Sequence, residues 1–336
     1  MTRVLEIGQY AAGYAGRLFV RAGFDVVRME EQSQPAWASP DAMNTYLHAG
    51  KRRVDAWSQL EKLAEAADIV ICEASSADEV DSLGFDNLPC DIKVAITPFG
   101  RTGPKRNWHA SANVILAMGG YTNLMGDEGR QPLNLPGHYL EFQTGAVAYA
   151  SAASTLFAQR RSVADIGMLE TLMSLSQFTT VMWHCAGEIR ARHGSDFWTV
   201  SPSDLFRLRD GWVYVSIVPT FWDPFIALLA TPELVIDERF QTNDGRRAHR
   251  VELRTIIARA FAELSRADIE ERAETYRVPM GVVRTMDDVL AEAHLEMRGF
   301  WESLTTTSGE VVRSPGLPFN LDDRARRAYQ TSAVEL

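Results

Sequence analysis

The chain has 336 residues, 46% of them hydrophobic and 23% charged, with a net charge of −10, the profile of a globular protein of about two domains. That charge argues against a nucleic-acid or anionic-membrane partner, and no apolar run reaches the roughly 18 residues that would cross a bilayer. The first residues carry no signal-peptide pattern, and three cysteines without a CxxC pair fit a reducing cytosol, so a cytoplasmic protein is expected.

In chain order, residues 4–7 read as an apolar strand and the glycine-rich residues 8–16 as a turn. Residues 17–22 then read as a helix closed by Gly23, and residues 25–29 as a second strand. This unit opens an α/β domain, although Gly8, Gly13 and Gly16 lack the GxGxxG spacing of a dinucleotide site and the acid after the second strand is Glu30. Residues 56–67 form an amphipathic helix, 68–72 a buried strand, 77–83 a helix and 92–97 another strand. Cys72, ending its strand, reads as a buried core thiol. The alternation argues for a parallel sheet covered on both faces. The loop at 98–104, with two prolines and two glycines, leaves the carboxyl end of a strand, where ligands sit in such sheets.

A helix over 110–118 stops at Gly119 and Gly120. Pro136 and Gly137 break the chain before an alanine-rich helix that starts near Tyr139 or Leu140 and runs to about Gln159. Its small side chains allow neighbouring backbones to come close. Glu141 falls in its first turn, where free N–H groups favour an acid. A strand at 163–166 and a long helix at 168–188 follow, and residues 190–196 read as a linker into a smaller module. That module begins with a hairpin at 205–216 turning at Asp210 and Gly211, and continues with helices at 222–230, 250–264, 267–276 and 286–293. Residues 300–312 form a strand-forming tail. The basic clusters at 51–53, 246–247 and 324–327 read as solvated faces, with a phosphate site considered only for the first.

Taken in order, these stretches resemble the CaiB/BaiF family, the class III CoA-transferases. The likeness lies in VLEIG, AGYAGRL and GFDVVRME over 4–30, GKRRV at 50–54, ADIVI at 67–71, FGRTGP at 99–104 and DIGMLE at 165–170. In the smaller module Asp210-Gly211, DERF at 237–240, VPMG at 278–281 and Met297-Arg298 recur in the family's order. The resemblance implies a Rossmann-like CoA-binding domain with a parallel sheet at 1–195 and 296–336, a small α+β domain at 196–295, and two chains interlocked like links.

The reaction it implies moves CoA from an acyl-CoA to a carboxylic acid, with no metal, in a homodimer or a heterodimer with a homologue. In the family an Asp three residues before a Thr/Ala-Gly pair is the nucleophile. Here Glu141 holds that place before Thr144 and Gly145. The extra methylene displaces the carboxylate by up to roughly 1.5 Å, and about 1 Å of misplacement can cost on the order of 100-fold. Either the pocket is recut for Glu or the chain is a slow or silent member; the recut pocket is preferred because residues 138–143 resemble a sub-group with Glu at this place. Carried over in the same way, the CoA contacts fall on Gln9, Ala11, Lys51, Arg52, Glu73, Ala74 and Arg101. Residues 73–76, Glu-Ala-Ser-Ser, replace the family's Asn-Phe-Arg-Pro, and an acid in place of a cation is expected to weaken the grip on phosphate, as is Glu31. Tyr139, Phe197, Trp198, Phe221 and Trp222 suit either the core or a bulky acyl pocket.

Two other readings remain at this stage. One is a non-catalytic or partner-dependent subunit of a heteromeric transferase. The other is an α-methylacyl-CoA racemase, whose His-Asp pair would fall on Ser111 and Ala112, with His109 two residues upstream and Val218 in place of a further acid.

Overall fold

The computed structural model describes residues 2–29, 41–197, 199–306 and 308–318; the acids at 30 and 31, Trp198 and the basic cluster at 324–327 lie outside them. The chain divides into two compact units, Met1–Thr122 with Asn134–Arg190 and Ala293–Leu336, and Asn123–Leu133 with Ala191–Glu292.

The chain runs β1 (Arg3–Ile7), α1 (Tyr10–Arg21), β2 (Asp25–Met29), α2 (Asp41–His48), β3 (Arg52–Val54), α3 (Leu60–Glu65) and β4 (Ile69–Glu73). It continues with α4 (Ala77–Ser82), β5 (Ile92–Thr97), α5 (Ala112–Met118), a single turn α6 (Tyr121–Leu124), α7 (Tyr139–Phe157), β6 (Ser162–Gly167), α8 (Met168–Ser174) and α9 (Gln177–Ala186). The six strands form one parallel sheet in the order β3-β2-β1-β4-β5-β6.

Alternate residues of the central strands feed two cores, which is why these strands read as unbroken apolar runs. Val4, Ile69, Ile71 and Val94 pack with Phe19, Ile115, Ala148 and Leu172 from α1, α5, α7 and α8. Leu5, Val70, Cys72 and Ala95 face the other way, towards Ala64, Val80 and Phe85. The strand order reverses between β1 and β4, so a crevice opens beyond their carboxyl ends, the usual ligand position in an open α/β sheet.

Two elements depart from the sequence reading. Residues 11–16 are not a turn: α1 begins at Tyr10, and Ala11, Ala12 and Ala15 are fully buried in its core face. Its glycines serve close packing rather than a turn; at Gly16 a Cβ would collide with the Glu6 carboxylate beneath. The long helix at 168–188 is broken between α8 and α9, where the Ser174 and Ser176 hydroxyls donate to the Thr171 and Met173 carbonyls and compete with the helix ladder.

The first unit also contains the antiparallel hairpin β10 (Trp301–Thr305) and β11 (Val311–Pro315), numbered after the three strands of the second unit. Glu302 on β10 pairs with Arg17 and Arg21 of α1. In the second unit β7 (Ser203–Arg207), β8 (Trp212–Ser216) and β9 (Met280–Val282) form an antiparallel sheet. Helices Trp222–Leu229, Arg250–Ala262 and Arg266–Tyr276 accompany it, around a core that includes Phe206, Val213, Phe225, Ile257 and Phe261. Trp222 is buried in that core, whereas Tyr139 is 63% exposed. Among the described residues no helix is long and apolar enough to cross a membrane.

The contact that places the crevice is between α1 and α7. Gly145 on α7 lies against the Ala11 carbonyl and Tyr14, and a Cβ there would overlap that carbonyl. Gly→Ala in a free helix gains about 1 kcal/mol; at Gly145 the sign should reverse, with Gly145→Ala destabilising by about 1–3 kcal/mol through overpacking. Denaturant unfolding measures it, and a neutral or stabilising result would show that the two helices are not in contact here.

Candidate active site

The site is built at the β1–β4 crevice. After β1, Gly8 adopts φ +129°, and a Cβ there would lie 2.6 Å from the Cβ of Glu73. Only glycine allows the β1–α1 turn to close onto the last residue of β4. Glu73 then turns its carboxylate into the first turn of α1, where Oε2 accepts from the N–H groups of Gln9 at 3.0 Å and Ala12 at 2.9 Å. These are orphan donors at the positive end of the helix dipole, so an acid fits them. Burial pushes the Glu73 carboxyl up to about 7; the Ala12 and Gln9 amides pull against that rise, and the charge of Glu141 adds to it.

The rest of the altered segment is equally local. Ala74 N–H donates to the Ile96 carbonyl at 3.0 Å, Ser75 N–H donates to Glu79, and Ser76 caps α4 by accepting from Glu79 N–H. The Glu73 carboxylate is thus held by the first turn of α1 while the residue still lines the cleft. Residues 73–76 join β4 to a capped helix.

Glu141 stands at the third position of α7, with His138 as its N-cap residue. Glu141 Oε1 lies 3.2 Å from His138 Nδ1, and the imidazole stacks on the Tyr10 ring at a centroid distance of 4.0 Å. Oε2 of Glu141 is buried without a hydrogen-bond partner in the structure. The next turn repeats the contact between the same helices, with Phe142 stacked on Tyr14 at 4.8 Å. Glu141 and Glu73 line one open cleft of about 950 Å³, a volume within the usual range for ligand sites.

Of the residues expected to contact CoA, the structure brings Gln9, Glu73 and Ala74 to this cleft together with Glu141. Ala11 is buried beside it, in the face of α1 that meets α7. Lys51 has no exposed side-chain surface: its ammonium lies 2.6 Å from Glu6 and donates to the Gly13 carbonyl at 2.7 Å. Arg52 pairs with Asp25 across the sheet edge. Arg101 is held by Asp86 at 2.7 Å and Asp81 at 2.8 Å. None of these three cations is among the residues lining the cleft, and no other Lys or Arg is among the described lining residues.

The FGRTGP and DIGMLE stretches meet, because the Asp165 carboxylate accepts the Arg101 N–H through both oxygens. That bond fixes the loop after β5, which gives Pro98 to the cleft. Ser111 and Ala112 line the cleft, and His109 is not among its described lining residues; Val218 belongs to the second unit. Cys72, with its thiol pushed up to about 12 by burial, is no nucleophile. His138 and Tyr10 are the site residues that sequence reasoning missed. The signal for His138 was its spacing of three from Glu141 at a helix start.

The sequence profile of CoA-transferase family III matches residues 2–332. The chain belongs to that family. It is 25% identical to a succinate–glutarate CoA-transferase of Agrobacterium fabrum over 94% of this chain and 86% of that protein. It is 23% identical to the succinyl-CoA:(R)-benzylsuccinate CoA-transferase subunit BbsE of Thauera aromatica over 96% of this chain and 87% of that one. In fold it is similar to a CaiB/BaiF family protein from Brucella suis, with a TM-score of 0.83, 22% identity, and coverage of 96% of this chain and 92% of that one.

In this CoA-transferase the proton on Glu73 has a measurable consequence. The folded value near 7 lies above the ordinary 4.5, so its contribution to stability is complete below about 4.5 and is lost as pH rises through 7. Glu73→Gln keeps the acceptor oxygen and removes the titration. Thermal unfolding from pH 5 to pH 8 should therefore show a steeper loss of Tm in the wild type than in the variant. Parallel profiles would contradict the assignment.

Proposed function

We propose that this chain moves CoA from an acyl-CoA thioester to a carboxylic acid, with Glu141 as nucleophile. The observation that carries this reading is the state of its carboxylate in the cleft: one oxygen is held by His138 and the other is without a partner. A carboxylate attacks without help from a general base. The Glu141 carboxylate attacks the thioester carbonyl, and the C–S bond breaks to give a mixed anhydride and CoA thiolate. The thiolate then attacks the glutamyl carbonyl, releasing the acyl group as a carboxylate and leaving a Glu141–CoA thioester. The acceptor carboxylate attacks that thioester and expels CoA thiolate, giving a second mixed anhydride; the thiolate then attacks the acceptor's carbonyl carbon, and the anhydride C–O bond breaks to give the new acyl-CoA and free Glu141 carboxylate.

His138 has a specific part in this scheme. The Glu side chain is one methylene longer than the family's Asp, and the contact from His138, itself stacked on Tyr10, holds it in place; this is the recut pocket. Negative charge developing on the carbonyl oxygen needs donors. The amides of Gln9 and Ala12 are taken by Glu73, so Gly137, which lines the cleft at φ +84°, is the proposed donor. The thioester and pantetheine end fit a cleft of this size and lining. With no cation among its described lining residues, the CoA phosphates are placed outside it.

The interlocked homodimer and the cytoplasmic location are part of the same proposal. They are supported by the family and, for the location, by free thiols at Cys72, Cys90 and Cys185. A second reading, a subunit that works only with a homologue, is favoured by the lack of Lys and Arg among the described residues that line the cleft and by the relative named as a subunit.

Glu141→Gln should lower transfer by at least about 1,000-fold while leaving the fold intact; retained activity would overturn the assignment. His138→Ala should lower kcat by about 10- to 100-fold with little change in KM, the mark of a misplaced nucleophile. Steady-state kinetics with and without a co-expressed homologue measure both effects and separate the two readings.

A further inference from the structure

We infer that Lys51 is a positioning residue for the transfer: through its bond to the Gly13 carbonyl it sets the place of helix α1, and with it the direction in which Glu141 points. The effect on rate rests on the reading of Glu141 as nucleophile; the effect on position does not. Lys51 stands where the resemblance placed a CoA contact, yet its side chain has no exposed surface, so a cofactor does not reach the ammonium. Its partners are a carboxylate and a helix backbone. Nζ lies 2.6 Å from Glu6 Oε2 and donates to the Gly13 carbonyl at 2.7 Å. A charged donor makes the stronger kind of hydrogen bond, and an ammonium has protons for both partners at once.

Each step from Lys51 to Glu141 is a contact inside the first unit. Lys51 reaches the backbone of α1 because the helix is bare on this side. His48 and Leu47 lie against Gly13, and the Glu6 carboxylate lies beneath Gly16. Three residues before Gly13, Tyr10 begins α1 and stacks on His138, whose Nδ1 is 3.2 Å from Glu141. Between them the Ala11 carbonyl receives the bare Gly145 of α7. A shift of α1 at Gly13 therefore moves both supports of Glu141, the ring stack and the helix contact. The far end of α1 is held separately, by Glu302 on Arg17 and Arg21. Among the described residues the cluster also contains Arg28, 3.7 Å from Glu6, and His48, which burial and Lys51 keep neutral. Without Lys51 the Glu6 carboxylate still faces Arg28; what is lost is the grip on Gly13.

Two variants of the full chain separate position from charge balance. Lys51→Met removes the bond to Gly13 at nearly constant volume, whereas Glu6→Gln removes the charge partner and leaves that bond. Lys51→Met should lower kcat by about 10- to 100-fold, with KM for the acyl-CoA changed by less than about twofold. Glu6→Gln should lower Tm yet keep kcat within about threefold of the wild type. A raised KM with kcat kept would make Lys51 a CoA contact and overturn the inference, as would equal losses of kcat in the two variants, the mark of a merely structural pair. Hydrogen exchange reads position without activity. The amides of residues 142–145 should exchange faster in Lys51→Met than in Glu6→Gln or the wild type, and unchanged exchange would overturn the inference. If Lys51→Met does not fold, Glu6→Gln/Lys51→Met takes its place with the same expectations against Glu6→Gln. Activity that survives Glu141→Gln would instead overturn the reading beneath, and the exchange result would then decide the place of Lys51 alone.

Discussion

Helix α7 can carry Glu141 to the crevice only because Gly145 lies bare against the backbone of α1 at Ala11. Everything chemical in the site is referred to that approach. From it follow the stacking of His138 on Tyr10 and of Phe142 on Tyr14, two ring contacts one helical turn apart. They fix the rotation of α7 about its axis, and with it the direction in which Glu141 points. The alanines further along α7, Ala148 and Ala152, continue the same close face into the core.

Helix α1 is in turn fixed from below by charge. Glu6, fully buried, is surrounded by Lys51 at 2.6 Å, Arg28 at 3.7 Å and His48 at 3.8 Å. Burial pushes the Glu6 carboxyl up and draws Lys51 down to about 8, with the attraction between the two opposing both shifts. Burial and the neighbouring Lys51 keep His48 neutral. A buried pair of this kind is weak evidence for stability, but removing one partner typically costs about 3–5 kcal/mol. Its visible effect is on position, since Lys51 also grips the Gly13 carbonyl of α1. At the other end of the same helix, Glu73 fills the N-terminal amides. One acid beneath α1 and one at its tip hold the surface on which α7 rests.

The sheet was legible because its strands are buried on both faces, which leaves unbroken apolar runs such as residues 69–72 and 92–96. Glu141 was legible from its place at a helix start and from the resemblance. What could not be read was direction. Lys51 and Arg101 looked like phosphate partners by type, yet their neighbours, Glu6 at 45 positions' remove and Asp81 and Asp86 across a loop, exist only in the folded chain. That the Glu73 carboxylate also accepts from the first turn of α1 was not readable, because nothing local indicates that Gly8 allows α1 to present its amides at that point. The glycines of α1 were mistaken for a turn for the same reason: their value lies in what packs against them, and spacing alone does not record it.

The central claim is that Glu141, and no other side chain of the cleft, becomes covalently attached to CoA. Incubation of the full chain with an acyl-CoA in the absence of acceptor, followed by peptide mass mapping, tests it most directly. A CoA adduct, removed by hydroxylamine, is expected on the peptide that carries Glu141 and is expected to be absent in Glu141→Gln. A CoA adduct mapped to Glu73, to Glu79 or to a cysteine, or one that persists in Glu141→Gln, would contradict it.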